Sequence, residues 1–307
     1  MHRFVDLFCG VGGFRVALER EGMDCVFSCD IDSKVCSVYA QNFGDMPSGD
    51  ITTIINSEIP PHDILCAGFP CQSFSLSGNA RGFNDIRGRL FFEIVRIAKH
   101  HKPYMLLLEN VKNILTVDDG NVLRTIYKAL EDIDYKLQHY TLNSSHFGVP
   151  QKRERVYFVA LKNGVPLRHG KPKPTYRKKY LKDILLADNL CMDLVVERPD
   201  IVITKDEVEP DLSPIKIGYL NKGGQGERIY SDLGHAVTQS ASSGGVGSRT
   251  GLYYVNGNVR RLHIQEAKSV MGFDKSFHVS DGLSGYSQLG NAVIPAMINT
   301  IYDSVRI

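Results

Sequence analysis

The stretch that most constrains this chain is 104–108, YMLLL, a near-continuous apolar run stopped by Lys102-Pro103 before it and Glu109-Asn110 after it. Such a run has neither the period of an amphipathic helix nor the alternation of a half-exposed strand. It reads as a strand buried on both faces, as expected at the centre of a parallel sheet covered by helices. Segments of related character stand at 3–8 (RFVDLF), 24–29 (DCVFSC), 63–67 (DILCA) and 156–161 (VYFVAL), with a further strand at 136–142. Helical spacing lies between them. It is carried by Phe14, Ala17 and Leu18, by 33–43, by Leu90, Phe91, Ile94, Ile97, Ala98 and His101, and by 120–133. Strands alternating with helices predict an α/β fold with a mainly parallel sheet.

Open sheets of this kind bind ligands at the carboxyl ends of their strands, and chemically unusual residues stand there. The first strand runs into Cys9-Gly10-Val11-Gly12-Gly13, a turn whose glycines let backbone approach a ligand at a helix N-terminus. Arg15 occupies the place of the third glycine of a dinucleotide-binding pattern, which speaks against a nicotinamide cofactor. Asp30, about twenty residues beyond the turn, either takes ribose hydroxyls or caps the next helix. Gly49-Asp50-Ile51 offers a second acid at a strand edge.

The strand 63–67 leads through Gly68, Phe69 and Pro70 to Cys71, and a long polar, glycine-bearing loop comes after it. Cys71 is either a small buried hydrophobe or a reactive thiol beside a functional loop. Glu109 ends the most apolar strand. It is either the solvated cap of the next helix or a desolvated carboxylate whose raised pKa suits a proton donor. In 151–156, QKRERV, strand alternation puts Arg153 and Arg155 on one face, where paired guanidiniums bind phosphate or carboxylate.

The chain is 307 residues long and 43% hydrophobic, enough for one large domain and a smaller one. Its seven cysteines, odd in number and without CxxC pairs or matching histidine spacing, argue for a reducing compartment and against zinc sites or disulfides. No apolar run reaches a membrane span, and Asp6 stands where a signal peptide would be apolar. A cytoplasmic protein is expected. The net charge of +2 excludes no partner, but Lys171, Lys173, Arg177, Lys178, Lys179 and Lys182 form a basic run. From about 184 the pattern becomes loop-rich and mainly β. Its glycine clusters at 223–228 and 240–251 carry Gln and Arg, which fit base-edge readout, although glycine-rich turns occur in any β domain. A helix-bearing return segment at 261–271 and a closing helix ending near Asp303 complete the chain.

In combination these blocks become specific. DLFCGVGG (6–13), GFPCQSFS (68–75), ENV (109–111), QKRERV (151–156), RLHIQEAKSVMGF (261–273) and LGNAV (289–293) occur in the order and rough spacing of the cytosine-5 DNA methyltransferases. The chain most resembles the small bacterial restriction-modification enzymes, particularly the GCGC-specific ones. The resemblance implies a Rossmann-like S-adenosylmethionine-dependent methyltransferase fold, a mixed, mainly parallel sheet with helices on both faces, plus a smaller mainly β target-recognition domain. The boundaries expected are 1–183 for the catalytic and cofactor-binding domain, 184–262 for target recognition, 263–290 for a return segment and 291–307 for a C-terminal helix.

The resemblance further implies S-adenosyl-L-methionine as methyl donor, S-adenosyl-L-homocysteine as product and no metal. Asp6, Phe8, Gly10, Gly12, Gly13, Asp30, Ile31, Asp50, Ile51, Pro70, Leu90, Asn291 and Ala292 would bind the cofactor. Cys71 would be the nucleophile and Glu109 the acid, with Asn110, Arg153 and Arg155 supporting a flipped cytosine. Ser77, Gln225, Arg228, Thr238 and Ser242 would read a duplex, with GCGC as the first candidate target. The partner implied is double-stranded DNA, with a cognate endonuclease acting on the same site without needing to bind, and the enzyme is expected to work as a monomer. Asp274, Ala292 and Ser242 depart from residues common in the family. A transfer-RNA methyltransferase of the same superfamily and a non-catalytic DNA-binding protein on this scaffold are the competing readings.

Overall fold

The computed structural model describes residues 2–70, 89–166, 170–205, 207–242 and 250–306. The chain divides into two compact units. The first comprises Met1–Leu142, Glu154–Pro172 and Ile298–Ile307, and the second Asn143–Arg153 and Lys173–Met297. The second unit therefore starts ahead of the boundary expected at 183 and also takes in a short segment that ends at Arg153.

The first unit is built on a six-stranded sheet of β1 (Arg3–Leu7), β2 (Asp24–Cys29), β3 (Ile64–Ala67), β4 (Met105–Val111), β5 (Tyr135–Asn143) and β6 (Glu154–Lys162), ordered β2-β1-β3-β4-β6-β5. The strands from β2 to β4 are parallel, and β6 runs antiparallel to β4. The apolar run seen in the sequence is β4, central as expected and extending to Val111. Glu109 and Asn110 are thus strand residues rather than the first residues after a strand.

Alternation along the strands sends Leu7, Leu65, Leu106, Leu108 and Phe158 to one face. There they pack with Ile94 and Ile97 of α3 (Arg89–His101) and Ile126 and Leu130 of α4 (Asn121–Glu131). The intervening Phe4, Asp6, Ile64, Cys66 and Leu107 are fully buried on the other face. Each such aliphatic side chain contributes about 1.5–3 kcal/mol by leaving water, which suffices to hold polar residues at the strand ends.

Two more helices come after the first strands, α1 (Gly13–Arg20) and α2 (Ser33–Phe43). Asp32 caps α2 by accepting the amides of Lys34 and Val35, and Gly44, at φ 84°, closes it. The expected strand near Asp50 is reduced to a single bridge between Ser48 and Cys29, with a turn beyond it.

The second unit carries a five-stranded sheet ordered β11-β10-β9-β8-β7. Its strands are β7 (Val202–Ile203), β8 (Lys216–Tyr219), β9 (Arg228–Ser231), β10 (Leu252–Val255) and β11 (Asn258–Arg260), joined by loops and short 3-10 turns. Two helices belong to it, α5 (Ile264–Met271) and α6 (Gly282–Asn291), the latter not foreseen in the sequence. A buried ion pair links sheet to helix. Arg260 Nη2 lies 2.7 Å from Glu266 Oε1, and the same carboxylate accepts the amides of His263 and Leu186. The closing helix is α7 (Pro295–Val305), whose Asn299 donates to the Ala17 carbonyl of α1 at 2.9 Å.

Candidate active site

The turn after β1 is built for close approach. Phe8 adopts the left-handed conformation at φ 54°, a strain of about 1–3 kcal/mol that clusters at functional sites. Gly12, at φ 93°, has no room for a side chain, since a Cβ there would stand 2.4 Å from Phe43. Arg15, in place of a third glycine, is anchored instead. It lies 2.6 Å from Glu19 and 2.7 Å from Asp45, with its guanidinium 4.5 Å from the centroid of Phe43.

The turn is tied to the acid at the end of β2. The Gly10 amide donates to Asp30 Oδ2 at 2.9 Å and the Asp32 amide to Asp30 Oδ1 at 3.0 Å. Asp30 is therefore aimed by backbone yet partly open, and Ile31 beside it is 77% exposed. The Ser48 carbonyl accepts the Asp30 amide, which brings Asp50 alongside. Asp50 caps its own turn through Thr52, while the Ile51 side chain is in the core. Beneath the turn, Asp6 is fully buried, and among the described residues neither carboxyl oxygen has a hydrogen-bond partner of good geometry, the Arg15 amide being the group that approaches it. Burial pushes its pKa well up, against the pull of Arg15.

The second cluster stands where β3 and β4 end side by side. Asn110, 3% exposed, donates from Nδ2 to the Phe69 carbonyl at 2.8 Å while its Oδ1 accepts the Val111 amide. This fixes the chain leaving β3 just before Pro70. Glu109 is buried and lies 3.1 Å from Arg155 Nε on β6. Leu90 is half-buried in the first turn of α3. Cys71 and Ser77 lie outside the described residues. Of the described cysteines, burial pushes Cys9 and Cys66 well up, Cys25 and Cys29 up to about 12, and Cys36 and Cys191 upward. Each shift favours the protonated, poorly nucleophilic thiol.

The two arginines of QKRERV do not share a strand face. Because β6 begins at Glu154, alternation does not reach back to Arg153. Arg155 serves the first unit, whereas Arg153 is buried in the second and donates to the carbonyls of Gln239, Gly290 and Ala292. Asn291 is exposed and Ala292 buried, both in the second unit.

Gln225, Arg228 and Ser242 are exposed there, and Thr238 donates its hydroxyl to the Lys152 carbonyl at 2.6 Å. Sequence reasoning missed Gln151, whose fully buried amide bonds the Gln239 amide and the Val270 carbonyl. A glutamine next to two arginines was the available signal.

The sheet order, with its antiparallel β6, and the glycine turn facing an acid on the next strand define a Rossmann-like methyltransferase. The structure aligns with S. pombe Dnmt2 methyltransferase at a TM-score of 0.77 and 20% identity, over 99% of this chain and 98% of that one. That likeness concerns the fold. Residues 2–306 match the C-5 cytosine-specific DNA methylase family, and the chain belongs to it. It is similar to the Type II methyltransferase M.HhaI of Haemophilus parahaemolyticus, with 46% identity over 295 residues, 95% of this chain and 90% of the relative. It is also similar to M.HaeII of Haemophilus aegyptius, with 38% identity over 306 residues, 99% and 92% of the two chains. The chain is a DNA cytosine-5 methyltransferase.

Proposed function

We propose that this enzyme methylates C5 of a cytosine turned out of a short specific duplex sequence, with S-adenosyl-L-methionine as donor and a covalent bond from Cys71 to C6 as the intermediate. GCGC is the first candidate target. As in a Type II system, the methylation protects DNA from an endonuclease acting on the same site, and a monomer in the bacterial cytoplasm suffices. Residues 184–262 read the target, through Gln225, Arg228, Thr238 and Ser242, and Ser77 is the further residue proposed for readout.

The observation that carries the reading is the meeting of three elements. Asn110 on β4 holds the carbonyl two residues before Cys71, the adjacent Glu109 is buried, and Arg155 reaches Glu109 at 3.1 Å. Cytosine C5 is a weak nucleophile. Addition of the Cys71 thiolate to C6 moves the C5–C6 π pair onto C5, while Glu109 donates to N3 and takes up the charge. Arg155 orients Glu109.

The first cluster fits the donor. Asp30, aimed by the Gly10 and Asp32 amides, suits ribose hydroxyls. Exposed Ile31 and the Asp50 turn suit adenine, and the glycine-rich turn at Gly10 to Gly13, whose Val11 side chain is buried, admits the remainder over Asp6 and Phe8. Pro70, Leu90, Asn291 and Ala292 complete the set. When bound, the cofactor supplies a methyl on a sulfonium and leaves as S-adenosyl-L-homocysteine. Loss of the C5 proton to a solvent base then expels the thiolate and restores the C5–C6 double bond, and N3 returns its proton to the Glu109 carboxylate. Extruding the base costs a few kcal/mol, offset by contacts with the extruded nucleotide.

Duplex DNA carrying 5-fluorocytosine at the target, incubated with the enzyme and S-adenosyl-L-methionine, should trap a covalent complex that Cys71→Ser does not form. Trapping by the serine variant would rule out the assignment of the nucleophile. Continued cutting of modified plasmid at GCGC by a methylation-sensitive nuclease would rule out that target.

A further inference from the structure

Arg153 and Gln151 build a polar joint inside the second unit. Residues 151–153 run beside 236–239: Gln151 and Ala236 form a parallel bridge, the Lys152 amide donates to the Ala236 carbonyl at 2.9 Å, and Gln151 Oε1 accepts the Gln239 amide at 2.9 Å. The Arg153 guanidinium, on a residue 3% exposed, then spans two segments. Nη1 donates to the Gln239 carbonyl at 2.7 Å, and Nη2 to the carbonyls of Gly290 and Ala292 at 2.9 and 3.0 Å. The two segments also touch directly, because a Cβ on Gly290 would stand 2.2 Å from the Ser240 carbonyl.

The bracketed residues define what the joint controls. Asn291 lies between the two clamped carbonyls of its segment with its own side chain exposed, and Thr238, Ser240 and Ser242 flank the clamped Gln239 carbonyl. A planar fork bonded to carbonyls in both segments leaves them little freedom to move independently, and a lysine, with a single terminal nitrogen, cannot reproduce that span. We propose that Arg153 is a positioning residue that couples cofactor binding to DNA binding. Ordering the Asn291 segment around the cofactor pre-orders the 238–242 segment that meets DNA, and the reverse holds by thermodynamic reciprocity. The inference rests on the reading that assigns Asn291 to the cofactor and Thr238 and Ser242 to DNA.

The test uses the full chain, S-adenosyl-L-homocysteine as a non-reacting ligand, and a duplex carrying the site found by mapping methylated cytosines. In the wild type, saturating S-adenosyl-L-homocysteine should tighten duplex binding by about tenfold, within the usual range of coupling between sites. In Arg153→Lys the factor should fall to about one, while each ligand alone is still bound and melting remains cooperative. Gly290→Ala, which disturbs the joint without touching Arg153, should lower the factor as well and decides the matter should Arg153→Lys not fold.

A readout that needs no variant is amide exchange in the wild type. S-adenosyl-L-homocysteine alone should slow exchange in peptides covering 236–242. Unchanged exchange there, or undiminished coupling in folded variants, would overturn the inference and leave the proposed function standing. Failure of the wild type to bind S-adenosyl-L-homocysteine at all would overturn both.

Discussion

The two units solve the same problem, holding polar residues at fixed places, by opposite means. In the first, buried strands carry the proposed reactive positions at their ends: β3 and β4 are apolar until Glu109 and Asn110, and the sheet itself sets their spacing. In the second, strands are as short as two residues, and position is set by buried polar joints, Arg153 with its three carbonyls and Arg260 with Glu266. Side chains in the first unit should therefore be replaceable at the cost of chemistry alone. Removing one charge of the buried Arg260–Glu266 pair in the second should cost stability.

The largest expected effect lies in the first unit. Glu109→Gln removes the proposed acid without disturbing the apolar strand, so turnover should fall on the order of 10²–10⁴-fold with little change in melting temperature. Methyl transfer to duplex DNA and calorimetry on the same preparation check both halves. A large loss of stability would break the contrast between the units.

Next comes Glu266→Ala in the second unit. It strands a guanidinium that is 2% exposed, which should cost about 3–5 kcal/mol, read from denaturant midpoints. A cost below about 1 kcal/mol would show that the joint is not what holds β11 to α5.

A smaller effect is pH-dependent. His62 is buried in the first unit with Nδ1 2.8 Å from the Pro60 carbonyl, and burial lowers its pKa to about 4. The folded state therefore prefers the neutral ring. Stability is complete above the ordinary histidine pKa of about 6.5 and is lost as pH falls from there towards about 4, by about 3 kcal/mol. His62→Gln should flatten that limb in urea titrations at about pH 5 and pH 7. An unchanged slope would assign the acid sensitivity elsewhere.

The smallest effect is at Lys112 and Glu154, an exposed pair 3.1 Å apart. Lys112→Met should shift stability by less than about 0.5 kcal/mol, since exposed ion pairs carry little energy. A larger shift would show that surface charge, not the sheet, contributes to the edge of the site.

The same contrast explains how much of the molecule was legible in its sequence. The strands, their neighbours and the acids at their ends could be read because burial on both faces leaves a continuous apolar record, as in YMLLL, and because glycine turns are local. β2 and α2 fall at the expected residues. The role of Asn110 as donor to the Phe69 carbonyl could not be read, because its partner lies beyond the end of another strand and 41 residues away. Nor could the separation of Arg153 from Arg155. It depends on where β6 starts, and a polar stretch has no period to mark that point. The buried Gln151 looked like any surface glutamine beside charged neighbours. Long-range polar pairing leaves no periodic trace.

The antiparallel match of β6 to β4 runs unbroken from Met105 opposite Leu161 to Val111 opposite Arg155. It works as a ruler, with the guanidinium as one of its graduations. An extra residue inserted into β6 between Arg155 and Leu161 would turn that arginine to the opposite surface of the sheet. Length changes should thus be tolerated in the loops beyond Lys162 but not within the strand that delivers Arg155.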